Sequence, residues 1–150
     1  MQLQQLPVDN GVQVAVRRYE PVGEPRASIV IGGAMGVRQS FYEPFAQWLA
    51  GQGLRVWTFD YRGSGDSRNG ASLRGFEADL FDWARDYEAV VDAAKAALPE
   101  RPLYLLGHSL GAQLPGFLQR PEQVDGLVSI AAGSGYWREN APKLKRSILY

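Results

Sequence analysis

The stretch Leu105-Leu106-Gly107-His108-Ser109-Leu110-Gly111-Ala112 (LLGHSLGA) decides how the fold of this 150-residue chain is interpreted. It continues a short apolar run at 103–106 that is typical of a buried strand, and it leads into a helix-like stretch at 110–118. Its centre fits the pattern G-x-S-x-G, in which small residues two positions from the serine permit a sharp, strained turn between a strand and a helix. On such a turn the serine hydroxyl projects above the carboxyl ends of the strands, where ligands bind in open α/β sheets. The pattern therefore favours Ser109 as a nucleophile over a glycine-rich turn that only links two elements.

Apolar periodicity on either side of this stretch predicts strands that alternate with helices. The predicted strands are 12–19, 27–31, 54–60, 103–106 and 124–131. Three- and four-residue spacing of apolar residues predicts helices from Ser40 to Gly51, from Phe76 to Leu98 and over 110–118, where Pro115 is an irregularity. Such alternation indicates βαβ units, and hence an α/β fold with a largely parallel sheet and helices on both faces.

The start of the first predicted helix carries a capping signal. Ser40 is followed three residues later by Glu43, which is the spacing of a capping box. Phe41, Phe45 and Trp48 follow at helical spacing. We expect these aromatic side chains to belong to the core and not to a ligand site.

The composition of the chain narrows the classes of function. Sixteen basic and sixteen acidic residues balance, so we expect no nucleic-acid partner. The chain has no cysteine and one histidine, which excludes a thiol nucleophile and argues against a metal site; we expect no cofactor. The N-terminal residues show no basic segment followed by an apolar core, so we expect no secretory signal. No apolar run approaches the ~18 residues of a membrane span, and we predict a cytoplasmic location.

Three segments, in this order along the chain, resemble the N-terminal part of an α/β-hydrolase. Ile31–Gly36 (IGGAMG) stands where many members have a strand followed by His-Gly, Asp60–Ser67 (DYRGSGDS) is similar to a D-x-R-G-x-G-x-S loop, and Gly107–Gly111 resembles the nucleophile elbow. The resemblance covers about Val12 to Gly133 and is nearest to lysophospholipase-like or predicted serine hydrolases. It implies that residues 1–150 are the N-terminal part of a single α/β-hydrolase domain, truncated after about six strands.

The resemblance also implies roles for individual residues. Ser109 would be the nucleophile, and the backbone amide of Leu110 would donate one hydrogen bond to the oxyanion. The second amide would come from the loop after the third strand, from Ala34 or alternatively from Met35. Position 32 is glycine in this chain where the family commonly has histidine, which leaves that loop less restrained. The remaining residues of the elbow would be Gly107, His108 and Gly111.

A base for Ser109 is missing from the chain. In this fold the order along the sequence is serine, then an acid, then histidine, and no histidine follows Ser109. His108 is adjacent to the serine and projects in a different direction, so we expect it to pack or form a hydrogen bond under the turn. Glu139 lies where some members place the acid. We expect the acid and the histidine beyond Tyr150, and we predict that the 150 residues alone are inactive.

Two glycine-rich segments have alternative interpretations. Gly63–Gly65 lacks the third glycine of a dinucleotide fingerprint, and no P-loop lysine follows Gly32–Gly36. Asp60, Arg62 and Asp66 could be catalytic, but an internal ion pair that holds the loop is the favoured interpretation.

Two functions from different classes remain. The first is a serine hydrolase that acts on an ester, thioester or amide carbonyl, with a small apolar ester as the expected substrate. The alternative is a binding or scaffold protein that has kept the fold without the catalytic machinery. As a fragment of the domain, the chain would leave its last predicted strand, 124–131, as an unprotected apolar edge, so we expect the isolated chain to dimerise or to be poorly soluble.

Overall fold

Six strands form one sheet in the computed structural model, which describes residues 1–68, 72 and 74–134. Across the sheet the order is β1-β2-β4-β3-β5-β6. The first two strands run antiparallel to their neighbours, whereas β4, β3, β5 and β6 are mutually parallel. The predicted α/β fold with a mostly parallel sheet is therefore confirmed. The strand bounds are β1 Gln2–Pro7, β2 Gln13–Tyr19, β3 Ala27–Gly32, β4 Leu54–Phe59, β5 Leu103–His108 and β6 Gly126–Ile130.

Helices cover both faces of this sheet. The α-helices are α1 (Glu43–Gly51), α2 (Leu80–Ala97) and α3 (Leu110–Gln113), and α3 continues as a 3₁₀ helix over Leu114–Phe117. Successive side chains of β3 point to opposite faces. Val30 accordingly joins the core beneath α2 and α3, while Ile29 and Ile31 join the core beneath α1. Further 3₁₀ helices span Gln39–Tyr42, Gly65–Arg68 and Pro121–Gln123.

The start of α1 differs from the sequence prediction. Ser40 lies inside the 3₁₀ helix Gln39–Tyr42 and its side chain caps neither that helix nor α1, so the predicted capping box is wrong. The Glu43 carboxylate instead forms an ion pair with Arg17 of β2 at 2.9 Å. The prediction that the aromatic residues of this region are core residues is also wrong. Phe41 in the 3₁₀ helix is 68% exposed, and Phe45 and Trp48 in α1 are 40% and 58% exposed.

Two further elements begin at positions that the periodicity did not indicate. The strand β1 was not predicted, because Gln2–Pro7 contains only two apolar residues in an otherwise polar stretch; it pairs with β2 along its whole length. Helix α2 begins at Leu80 and not at Phe76. Asp79 caps it by accepting hydrogen bonds from the amides of Phe81 and Asp82, and Asp82 reaches back to the Asp79 amide.

The loop after β4 is held by a buried carboxylate. Asp60 is 2% exposed and accepts hydrogen bonds from the backbone N–H and side chain of Gln39, at 2.8 and 3.1 Å, and from the amide of Asp66 at 2.8 Å. Ser67 donates to the Asp60 carbonyl and accepts from the amide of Ala15. These bonds connect the loop to β2 and to the segment after β3, so the Asp60 carboxylate stabilises the conformation of the loop.

Arg62 in the same loop forms ion pairs with more distant parts of the chain. Its guanidinium contacts the carboxylates of Asp86 at 2.7 Å, Asp9 at 2.9 Å and Asp82 at 3.1 Å. The expected ion pair within the loop is therefore wrong, since Arg62 pairs with α2 and the β1–β2 turn, and Asp66 pairs with Arg17. Burial raises the pKa of Asp86, and the bonds from Arg62 oppose that rise.

Candidate active site

The turn between β5 and α3 holds Ser109 in an uncommon backbone conformation. Its φ is +53° and its ψ is −111°, a region that residues with side chains rarely adopt. The two flanking glycines are required by close approach of the backbone. A Cβ at Gly107 would lie 2.3 Å from the carbonyl oxygen of Gly111, and a Cβ at Gly111 would lie 2.1 Å from the carbonyl oxygen of Gly32. The spacing of glycines around the serine is thus explained by packing of the turn on itself at Gly107 and on the end of β3 at Gly111.

The parallel register brings the predicted site residues to one edge of the sheet. Gly32 at the end of β3 is paired with Gly107 near the end of β5. The amide of Ser109 donates to the carbonyl of Ile130, the last residue of β6, at 2.9 Å. The serine turn and the loop after β3 therefore meet at the carboxyl ends of the strands, which is where open α/β sheets bind ligands.

A hydroxyl group connects this loop to the residue before the serine. The amide of Ala34 donates a hydrogen bond to Tyr42 Oη at 2.9 Å, and the same oxygen lies 3.0 Å from His108 Nδ1. Tyr42 is 7% exposed, and burial raises the pKa of its phenol while the Ala34 amide lowers it. The structure thus places His108 in a hydrogen bond with Tyr42 and not with Ser109.

The backbone amides near Ser109 differ in whether they are already bonded. The amide of Leu110 is the first in α3 and has no acceptor among the described residues. The same holds for the amide of Met35, which lies in a turn closed by a bond from Val37 to Ala34 at 3.1 Å. The amide of Ala34, by contrast, is bonded to Tyr42. Of the three proposed oxyanion donors, two are therefore free in this part of the chain.

The half-buried side chain of Ser109 has no hydrogen-bond partner within residues 1–68, 72 and 74–134. Glu139, the position considered for the acid, lies outside the described residues, as does everything after 134. Within the described ranges, no three His, Cys, Asp or Glu side chains converge in a way that could hold a metal ion. The geometry at Ser109 is accordingly that of a half-buried, unbonded hydroxyl on a strained turn, beside free amides.

A pocket of about 350 Å³ opens beside these amides. Its lining includes Leu110, Met35 and residues of the loop after β4. Phe76 covers this loop so closely that a Cβ at Gly63 would lie 2.4 Å from its ring. Most of the lining is apolar, and the full set is Met35, Gly36, Tyr61, Arg62, Gly63, Ser64, Phe76, Ala78, Trp83 and Leu110.

Sequence reasoning missed several of these residues. Tyr42 reads as one more aromatic residue at the start of a helix, and its partners are 8 and 66 positions away. Trp83 and Phe76 fit the apolar stripe of a helix, so no local signal distinguishes pocket residues from core residues.

In the described portion of the chain, no helix is both long and apolar enough to pass through a membrane.

Comparison with known proteins places the chain among hydrolases. Human monoglyceride lipase is 31% identical over 124 residues, which are 81% of this chain and 40% of the lipase. A monoacylglycerol lipase from Mycolicibacterium smegmatis is 31% identical over 101 residues, 67% of this chain and 35% of that protein. The chain therefore spans about 40% of the length of such curated relatives.

Solved structures share the fold. A thermostable carboxyl esterase from Bacillus coagulans superposes with a TM-score of 0.81 at 20% identity, covering 99% of this chain and 50% of the esterase. A soluble variant of monoglyceride lipase from Saccharomyces cerevisiae gives a TM-score of 0.73 at 19% identity, covering 85% of this chain and 44% of the lipase. The model of the family described as serine aminopeptidase, S33, matches residues 23–150. Because the match extends over most of this chain, the chain belongs to the S33 family of α/β-hydrolases. This family has lipase- and esterase-like members.

Proposed function

We propose that Ser109 is the nucleophile of a serine hydrolase that cleaves an ester, thioester or amide carbonyl. The observation that carries the proposal is the backbone of Ser109, with a φ of +53° on a turn packed against β3. Strain of this kind costs about 1–3 kcal/mol and persists at functional sites, where the surrounding structure maintains it. A turn that only joined β5 to α3 would not need it.

The chemistry of acyl transfer fits the groups around the serine. The hydroxyl oxygen would attack the carbonyl carbon, and its proton would pass to a histidine that protonates the leaving alcohol, thiol or amine as its bond to the carbonyl carbon breaks. Water would then attack the acyl-enzyme, which releases the carboxylic acid and restores the Ser109 hydroxyl. The amides of Leu110 and Met35 are free to donate to the oxyanion, whereas the amide of Ala34 is bonded to Tyr42. We propose that the histidine and the acid follow Tyr150, in the remainder of a single α/β-hydrolase domain; the relatives, which are more than twice as long, support this.

The pocket beside the amides supports an apolar substrate. Its lining includes Phe76, Trp83 and Met35, and it adjoins Leu110. An apolar acyl chain would be removed from water there, which favours binding by roughly 25 cal/mol for each Å² buried. The names of the relatives suggest a monoglyceride or a similar small apolar ester. A cytoplasmic location and the absence of a nucleic-acid partner stay predictions.

Labelling with a serine-reactive fluorophosphonate tests the nucleophile. We expect the full-length protein to be labelled at Ser109 and to hydrolyse short-chain p-nitrophenyl esters, and we expect Ser109→Ala to abolish both. Labelling that persists in Ser109→Ala would assign the activity to another serine. The 150-residue chain alone should not be labelled, because no base contacts Ser109 among its described residues.

The same absence of a contacting base favours the second candidate, a binding or scaffold protein with the hydrolase fold. That function predicts neither labelling nor ester hydrolysis in the full-length protein. It also predicts that Ser109→Ala leaves ligand binding unchanged, since binding alone does not require an activated hydroxyl.

A further inference from the structure

The Tyr42 hydroxyl lies between the two segments that form the proposed oxyanion site. On one side it accepts the amide of Ala34 in the loop after β3, at 2.9 Å. On the other side it lies 3.0 Å from Nδ1 of His108, the residue that directly precedes the serine. The two rings meet edge to face, with centroids 6.0 Å apart. One hydroxyl thus touches both the loop and the serine turn.

The direction of these hydrogen bonds follows from counting donors. A phenol has a single hydrogen, and a backbone amide can only donate. Ala34 donates to the Tyr42 oxygen, and among the described residues Nδ1 of His108 is the acceptor recorded for the phenol hydrogen. We therefore assign the phenol as the donor to Nδ1, in the tautomer that carries the His108 proton on Nε2. Burial raises the pKa of the Tyr42 phenol, so the hydroxyl keeps the hydrogen that it donates.

Tyr42 is itself fixed by the core. It ends the 3₁₀ helix that begins at Gln39, and Gln39 is held by the Asp60 carboxylate and by the carbonyl of Ala15 at 3.2 Å. Thr58 donates a further bond to Gln39 at 3.1 Å. The 3₁₀ helix is therefore anchored to β2 and β4. The loop it contacts contains glycines at 33 and 36, and among the described residues the other side-chain bond to its backbone runs from Tyr61 Oη to the Gly33 carbonyl at 3.3 Å.

We propose that Tyr42 is a positioning residue of the oxyanion site. The Tyr42 hydroxyl bridges Ala34 N–H and His108 Nδ1, and it thereby holds the Ala34–Met35 segment in a fixed position relative to the serine turn. The role in catalysis rests on the proposed hydrolase function, whereas the bridge itself does not. Donors that act on an oxyanion must be oriented before charge develops. Loss of the hydroxyl therefore affects the step in which the oxyanion forms more than it affects substrate binding.

A structural experiment tests the bridge without any assay of activity. In the full-length protein we compare wild type, Tyr42→Phe and Tyr19→Phe by ¹⁵N NMR, following the Ala34 amide and the ring nitrogens of His108. Tyr19 is a matched control, because it is also buried in the core beneath α1, and it pairs with Val56, which in turn pairs with Ile29 in the first half of β3 and not with the loop after it. We expect Tyr42→Phe alone to move the Nδ1 resonance and to make exchange of the Ala34 amide about tenfold faster, as loss of about one hydrogen bond implies.

A kinetic experiment tests the positioning role. For ester hydrolysis we expect Tyr42→Phe to lower kcat by roughly 10- to 100-fold, less than removal of an oxyanion donor, with KM changed by less than about threefold. His108→Asn keeps an acceptor near the position of Nδ1 and should retain most of the activity, whereas His108→Leu should resemble Tyr42→Phe. Tyr19→Phe should leave kcat unchanged.

The outcomes separate the bridge from the hydrolase function. An Ala34 amide that exchanges equally fast in wild type and Tyr42→Phe overturns the bridge. A Tyr42→Phe variant that raises KM and leaves kcat unchanged, or a His108→Leu variant as active as His108→Asn, overturns the positioning role. If wild type neither hydrolyses esters nor reacts with a fluorophosphonate, the hydrolase function fails, and the NMR comparison still decides whether the bridge exists.

Discussion

The backbone of Ser109 is maintained by its neighbours and not by any preference of serine. Its φ of +53° is unfavourable for a residue with a side chain. The turn can close because Gly107 packs on the backbone of Gly111 and Ala112, and Gly111 packs on Gly32. The Ser109 amide is in addition bonded to Ile130. Contacts with the ends of three parallel strands, β3, β5 and β6, thus stabilise the backbone conformation of Ser109.

The close approach of Gly111 to β3 leads to a prediction about stability. We expect Gly111→Ala to lower the free energy of unfolding by about 3 kcal/mol, because its methyl group would overlap the Gly32 carbonyl and the backbone would have to move. Gly116→Ala is the matched control: no atom lies within 4 Å of a Cβ there, and the change should be neutral or slightly stabilising. Urea unfolding of the full-length protein measures both. Equal stability of the two variants would show that the turn relaxes without difficulty.

At Ser109 and its glycines, sequence reasoning was sufficient to predict a strained turn, because the spacing expresses a steric requirement that is local. The sequence did not predict the hydrogen bonds of Tyr42, because the bond between Tyr42 and His108 joins residues 66 positions apart and no apolar periodicity indicates it. For the same reason the sequence did not predict that the amide of Ala34 donates a hydrogen bond to Tyr42. Pairwise contacts between side chains depend on the final packing, and a single sequence does not report them.

Among whole elements, those with a repeating apolar pattern were predicted best. β3 and β5 are buried along most of their length and appear as apolar runs in the sequence. β1 lies at the edge of the sheet and is largely exposed, so its composition carries little signal. The start of α2 was placed too early because Phe76 fits the apolar stripe, although it lines the pocket and the helix begins after the Asp79 cap.

Arg62 connects the loop after β4 to α2 and to the β1–β2 turn. We expect its removal to lower the free energy of unfolding by an amount that depends on pH. Arg62→Ala leaves Asp86, whose side chain is 0% exposed, without its charge partner. We expect a loss of about 3 kcal/mol in the free energy of unfolding at pH 7. Burial already raises the pKa of Asp86 above 3.8 in the folded protein, and loss of the arginine raises it further. The folded variant then binds a proton that the unfolded chain releases, so its deficit should grow as the pH rises from 4 to 7.

Arg85→Ala is the control for this prediction. Arg85 also contacts Asp9 and Asp82, but its side chain is half exposed, and solvent screens its ion pairs. We expect only a small loss of stability with little dependence on pH. Urea unfolding at several pH values, with the two variants side by side, makes the comparison. A deficit of Arg62→Ala that shrinks as the pH rises would contradict the assignment to Asp86.

On the scale of the whole molecule, the sheet has two edges of different character in the described part of the chain. β1 forms one edge and is half polar, with Gln2, Gln4 and Gln5 among its six residues. β6 forms the other edge, and its apolar residues Leu127, Val128 and Ile130 are 45%, 52% and 43% exposed. An apolar strand with unpaired backbone groups is a template for pairing with another chain.

This difference predicts how the 150-residue chain behaves in solution. We expect it to self-associate through β6, and we expect Val128→Lys to weaken that association because a charged side chain at an edge disfavours strand pairing. Leu3→Lys is the matched control, with the same substitution on a residue of β1 that is 53% exposed; it should not change the association. Small-angle scattering and sedimentation over a range of concentrations measure the oligomeric state. A wild-type chain that stays monomeric at high concentration would contradict the prediction, and an equal effect of the two lysines would place the contact elsewhere than at β6.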